Sequence, residues 1–247
     1  MSTGIILFSR VPIPGKTKTR LQSHLSSKQS AELHKTFLKD MNNMLVYVQK
    51  KLKDINLYLF YTPSGEKKVF EGIISNKFNY YPQKGLNIGD RMYNSLKTVS
   101  KFNDKQILIG SDLPTLQPKI LEDTINELDG SDIVIGPSDD GGYYLVGCKN
   151  PNEKIFKDID WGTKDVLEET INVIVENRLT YKKVSKCLDI DYYYELEQLY
   201  KKLIKYNDLE FYPQNTADIL IEMFKEEKSQ REGVYNGAKF FNFGSIR

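Results

Sequence analysis

The feature that most constrains the fold is an alternation along the chain, in which short apolar runs give way to loops and then to longer amphipathic segments. Residues 5–8 read as a buried strand, and residues 27 to about 52 carry Leu33, Phe37, Met41, Met44, Leu45 and Val48 at helical spacing. Residues 57–61 are strand-like and stop at the turn sequence Thr62-Pro63-Ser64-Gly65. A short helix is expected next, then a strand at 78–81, a helix over 89–102 and a strand at 106–109. Pro118 suits the first turn of a helix running to Leu128. Strands at 132–135 and 143–146 follow, then helices at 163 to about 177, 193–206 and 216 to about 227. Strands separated by helices of this length predict a mostly parallel α/β sheet with helices on both faces. The gap between 135 and 143 leaves no room for a crossover helix, so one of that pair is expected to be antiparallel.

No internal repeat or linker interrupts the pattern, which predicts a single domain over residues 1–224. Beyond it lies an extension, 225–247, of no evident role, polar at first and then aromatic. Lys and Arg number 35 against 33 Asp and Glu, a formal charge of +2. That balance excludes a protein built to coat nucleic acid or an acidic membrane surface. Cys148 and Cys187 make no disulfide framework or C-x-x-C pair, and His24 and His34, the two histidines, read as structural. No run reaches the roughly 18 apolar residues of a membrane helix, and 5–8 is too short for a signal peptide. The expected location is the cytoplasm.

Four loops that follow strands carry the chemistry. Residues 10–21, Arg-Val-Pro-Ile-Pro-Gly-Lys-Thr-Lys-Thr-Arg-Leu, form a stiffened cationic loop with Arg10, Gly15, Lys16, Lys18 and Arg20. Ligands of open α/β sheets sit beyond the carboxyl ends of the strands, where such a loop suits a diphosphate. It lacks the spacing of a P-loop. Arginine is scarce, six of the 35 basic residues, and Arg10, Arg20 and Arg91 fall in these loops. Gln83-Lys-Gly85-Leu-Asn-Ile-Gly89-Asp90-Arg91 joins a strand to a helix, and Gln83 and Arg91 could read a base edge or a phosphate. Gly110-Ser111-Asp112-Leu113-Pro114 delivers a carboxylate at a strand end, a hard oxygen ligand suited to Mg²⁺ or Mn²⁺. Ser138-Asp139-Asp140-Gly141-Gly142-Tyr143 combines a turn signal with acids that could bind sugar hydroxyls, a metal or a nucleophile.

These pieces, with Trp161-Gly162-Thr163 and Asp189-Ile190-Asp191, occur in an order that resembles the small GT-A-fold transferases associated with radical-SAM, selenium and arsenosugar gene clusters (DUF2064-like), relatives of the MobA-like nucleotidyltransferases. The resemblance spans residues 5 to about 200. It implies a GT-A fold that grips a nucleotide sugar, or an NTP, through a divalent metal. Carried over, Asp112 and Asp191 would hold the metal. Arg10, Gly15, Lys18, Arg20, Gln83, Arg91 and Ser111 would bind the nucleotide and its phosphates. Gly141, Gly142, Tyr143, Trp161 and Thr163 would line the substrate side. Tyr192 stands where relatives have Thr.

The leading expectation is sugar transfer from a nucleotide sugar to a small-molecule acceptor, with Asp140 or its neighbour Asp139 orienting or deprotonating the acceptor hydroxyl. One alternative is a nucleotidyltransferase that condenses an NTP with a phosphorylated acceptor. The glycine-rich opening of the MobA-like enzymes is missing, and Arg-x-Pro-x-Pro-Gly replaces it. The other alternative is a non-catalytic nucleotide-binding module.

Overall fold

A computed structural model of the chain describes residues 1–205 and 208–225. In chain order the elements are β1 (Thr3–Arg10), α1 (Ser27–Lys51), β2 (Ile55–Thr62), β3 (Phe78–Pro82), α2 (Ile88–Val99), β4 (Lys105–Gly110), α3 (Pro118–Gly130), β5 (Ile133–Pro137), β6 (Tyr143–Cys148), α4 (Val166–Glu176), β7 (Tyr181–Lys183) and α5 (Tyr193–Lys205). Residues 214–225 are helical as well. The strands form one seven-stranded sheet of order β3-β2-β1-β4-β6-β5-β7. All pairings are parallel except those of β6, which runs antiparallel to both β4 and β5. This is the expected α/β architecture, with the antiparallel strand where the short gap after residue 135 required one.

Period-two alternation explains why the central strands read as unbroken apolar runs. Ile5 and Leu7 of β1 face one cluster with Leu57, Ile107 and Ile109, covered by Leu38, Met41 and Leu45 of α1 and Leu121 and Leu128 of α3. Ile6 faces the other side with Tyr58, Phe60 and Leu108, covered by Met92, Leu96 and Val99 of α2 and Ile174 of α4. Both faces are dry, so both sets of side chains must be apolar.

A third cluster places the site. Leu21, Leu25, Leu33 and Phe37 pack against Leu196, Leu199 and Leu203 of α5 and against Ala217 and Leu220. The buried Asp40 carboxylate accepts hydrogen bonds from the amides of Asn215 (3.1 Å) and Thr216 (2.7 Å), which fixes the final helical stretch on α1. The packing of α5 on α1 thus carries residues 189–192 to the carboxyl ends of β1 and β4.

Three elements differ from the sequence reading. The segment after residue 65 forms a short 3-10 turn, Lys67–Phe70. Helix α4 begins at Val166, because Trp161-Gly162-Thr163 turns instead, with Gly162 at φ +99°. Strand β7 was not foreseen: its three residues include two exposed lysines, and only pairing with β5 defines it. Residues 226–247, which hold the expected end of the last helix and nearly all of the 225–247 extension, lie outside the described residues.

Candidate active site

Strands β1, β2, β3 and β4 are parallel, so their carboxyl ends open on one edge of the sheet. The loop after β1 folds back over that edge, with Lys18 in the left-handed region at φ 48°, an unusual conformation for a residue with a side chain. Lys18 is buried, and its ammonium lies 2.9 Å from Asp112 Oδ1 and 3.3 Å from Asp191 Oδ1. It also donates to the Ile190 carbonyl. The Arg20 guanidinium pairs with Asp191 and stands over the Tyr192 ring, 5.4 Å from its centroid. The Glu195 carboxylate accepts from the amides of Asp191 (2.6 Å) and Tyr192 (2.8 Å), closing the turn that presents Asp191.

One carboxylate oxygen from each of Asp112, Asp189 and Asp191 falls within 4.8 Å of the others. Burial, followed by the neighbouring Asp112 charge, pushes the Asp189 carboxyl up to about 8. Asp189 Oδ1 is buried with no hydrogen-bond partner among the described residues. Burial also works to raise Asp112, but the Lys18 ammonium and the positive surroundings hold it below its ordinary value. Three hard oxygen donors, one of them orphaned, fit a divalent cation of the Mg²⁺ or Mn²⁺ kind.

Two cavities meet at these acids. One, of about 540 Å³, is lined by Arg10, Lys16, Lys18, Arg20, Gln83, Arg91, Ser111 and Asp112. The other, of about 320 Å³, is lined by Asp139, Asp140, Gly142, Tyr143, Trp161, Thr163 and Asp189. Arg20, Ile88 and Asp191 border both. A further cavity of about 490 Å³, between Tyr81 and α2, holds none of the residues singled out from the sequence.

Within the first cavity, both donors of the Gln83 amide are spent on the carbonyls of Ser9 and Phe60, each at 3.1 Å. Arg91 Nε donates to the Gly85 carbonyl at 3.2 Å, which leaves its terminal nitrogens for a ligand. Within the second, Asp140 Oδ1 accepts from Ser138 Oγ (2.5 Å) and from the Gly142 amide (3.0 Å). Asp139 is exposed, 3.5 Å from Lys186. Trp161 packs on Gly89, where an added Cβ would stand 2.7 Å from its indole nitrogen, and edge-on to Tyr143. Gly15 and Gly141 border neither cavity. Gly15 serves an open turn at φ +79°, and Gly141, at φ +89°, lets the chain pass the Lys164 carbonyl.

Sequence reasoning did not assign site roles to Asp189, Glu195 or His34. The Asp-Ile-Asp motif places Asp189 two residues before Asp191. His34 sits on α1 with its side chain buried in the first cavity, 3.8 Å from Asp112 Oδ1, and burial lowers its imidazole to about 4. Helical spacing beside Leu33 and Phe37 hides such a residue among core positions.

A sheet of this order, with cations and carboxylates converging beyond its parallel strands, defines a nucleotide-diphospho-sugar transferase fold. Residues 45–163 match the family profile described as "Uncharacterized protein conserved in bacteria (DUF2064)", which bears out the resemblance drawn from the motifs. Among solved structures, the chain is similar to a "putative nucleotide-diphospho-sugar transferase" from Desulfovibrio desulfuricans G20, at 29% identity and a TM-score of 0.77, over 91% of this chain and 99% of that one. Likeness to a cytidylyltransferase from Leptospira borgpetersenii serovar Hardjo-bovis is 16% identical with a TM-score of 0.53, over 93% and 96% of the two chains. For a CMP:2-keto-3-deoxy-manno-octonic acid synthetase complexed with CTP, the values are 9% and 0.52, over 81% and 97%. The last two share the fold alone. No curated protein matches the sequence. The chain is an enzyme of the transferase class.

Proposed function

We propose that the protein moves a sugar from a nucleotide-sugar donor to a small-molecule acceptor, with a divalent cation held by Asp112, Asp189 and Asp191. The observation that carries this reading is the position of the three carboxylates, at the seam between a cation-lined cavity and one walled by Asp140, Tyr143 and Trp161. Bound there, such an ion supplies positive charge to the diphosphate of the donor. Arg10, Lys16 and Arg20 give that diphosphate charge-assisted hydrogen bonds, which stabilise the nucleoside diphosphate as the glycosidic bond breaks. Asp140, its Oδ1 fixed by Ser138 and Gly142, takes the proton of the acceptor hydroxyl with its other oxygen. Trp161 and Tyr143 exclude water from the same side.

The deciding assay offers UDP- and GDP-sugars with Mn²⁺ and a panel of small hydroxylated acceptors. Release of UDP or GDP supports sugar transfer. Release of pyrophosphate from GTP or CTP with a phosphorylated acceptor replaces it with nucleotidyl transfer, and nucleotide-sugar binding with no release of UDP or GDP overturns sugar transfer.

We read residues 1–224 as one domain, because two apolar clusters cover the faces of a single sheet and the third packs α5 and the last helical stretch on α1, which covers that sheet. A cytoplasmic location accords with two buried free cysteines, and among the described residues no helix is long and apolar enough to cross a membrane.

A further inference from the structure

His34 makes its hydrogen bonds to hydroxyls that each precede a charged residue of the cleft. Its Nδ1 lies 2.7 Å from Thr17 Oγ1, next to Lys18. Its Nε2 lies 3.2 Å from Ser111 Oγ, next to Asp112, and 3.5 Å from Ser9 Oγ, next to Arg10. The imidazole and these hydroxyls are buried. The loop after β1 and the loop after β4 are thus tied through one ring that belongs to neither, carried on the rigid helix α1.

We propose that His34 is a positioning residue, a cross-brace that holds Lys18 and Asp112 in their 2.9 Å ion pair and so sets the charged groups on which transfer depends. The inference rests on reading this cleft as the transfer site. A neutral imidazole has one donor and one acceptor, while a hydroxyl can supply either, so both ring nitrogens are satisfied in either tautomer. Lys18 is held in a left-handed backbone conformation that a free loop would leave, so a neighbouring restraint is required. Thr17, locked to the ring, provides it. His34 itself need not touch substrate.

The test uses brief acetic anhydride labelling of the native protein, read lysine by lysine by mass spectrometry. Lys18 is 3% exposed in its side chain, and Lys105 is 4% exposed in an unrelated pair with Asp129 at the far end of β4, which makes Lys105 an internal reference. Both are expected to be strongly protected in the wild-type protein. His34→Phe keeps bulk but removes both hydrogen bonds, and should raise Lys18 labelling about tenfold with Lys105 unchanged, the signature of local opening. His34→Asn, which places an amide near the Nδ1 position and keeps the Thr17 bond, should hold Lys18 within about threefold of wild type. Unaltered Lys18 protection in His34→Phe overturns the brace. So do equal rises at Lys18 and Lys105, equal exposure in the Asn and Phe variants, or ready labelling of Lys18 in the wild type. The labelling needs neither metal nor substrate, so failure of the transferase reading and failure of the brace give different results.

Discussion

The backbone N–H of Ile190 donates to the carbonyl oxygen of Asp112 over 3.1 Å. This contact joins main chain to main chain, so it does not depend on the side chains of Asp112, Asp189 or Asp191. Ile190 is buried in the cluster that also holds Leu21, Phe37 and Leu196, which anchors the contact from behind. The acids can therefore be altered singly without dismantling the frame that presents them.

Asp112→Asn should retain the fold and lose metal-dependent turnover. A ligand at about 100 times its Kd adds about 2.7 kcal/mol to the native state, so Mn²⁺ should raise the melting temperature of the wild type and leave that of the variant unmoved. Lys18 keeps Asp191 and the Ile190 carbonyl as partners, which limits the cost of the substitution. Undiminished Mn²⁺-dependent activity in the variant removes Asp112 from the metal site.

With Asp189 as a ligand, metal binding should depend on pH. Its carboxyl, pushed up to about 8, is protonated at neutral pH and must lose that proton to serve as a ligand. Mn²⁺ affinity should rise with pH by up to about tenfold per unit until roughly pH 8 and then level off. Calorimetry at several pH values, in buffers of different ionisation enthalpy, should also register the released proton. A flat profile in the wild type, or an unchanged slope in Asp189→Asn, would dismiss this assignment.

The sheet was legible because β1, β2 and β4 are buried on both faces and are bounded by loop residues, so few other structures suit such apolar runs. Strand β7 was not, since nothing in Tyr181-Lys182-Lys183 distinguishes an edge strand from a polar loop until β5 pairs with it. The same division holds in the cleft. Asp112 could be found because a strand end followed by Ser-Asp-x-Pro signals position by itself. The Asp-Ile-Asp motif shows Asp189 but not that it meets Asp112, while Glu195 acts through a turn that only α5 packing creates and His34 through a residue more than 70 positions away, so local pattern gives none of their roles.

Two glycines offer a contrast in backbone cost. At Gly141 a Cβ would stand 1.9 Å from the Lys164 carbonyl oxygen, and the Gly141 carbonyl also accepts from the Leu167 amide at the start of α4. Gly141→Ala should therefore shift the loop carrying Asp140, lowering stability by about 3 kcal/mol and activity with it. At Gly15 the added Cβ meets open space, and the positive φ alone should cost about 1 to 2 kcal/mol. Urea denaturation of both variants checks the order, and equal losses would refute the close-approach argument.

His34 gives stability a dependence on acid whose direction follows from its lowered value. Its ordinary 6.5 applies in the unfolded chain, and burial brings the folded value to about 4. Above pH 6.5 the ring is neutral in both states and its contribution is complete. As pH falls from 6.5 towards 4 the unfolded chain takes up the proton first, so stability is lost, by about 2 kcal/mol at pH 5 and about 3 kcal/mol in full. Asp189 pulls the other way across much of that range, because its raised value makes the folded state bind the extra proton below about 8. The wild-type slope alone is therefore a mixture. The informative quantity is the difference between wild type and His34→Asn in urea unfolding free energy at pH 7.5 and pH 5. Wild type should lose about 2 kcal/mol more than the variant over that interval, and parallel curves would show that the imidazole is not buried as a neutral ring.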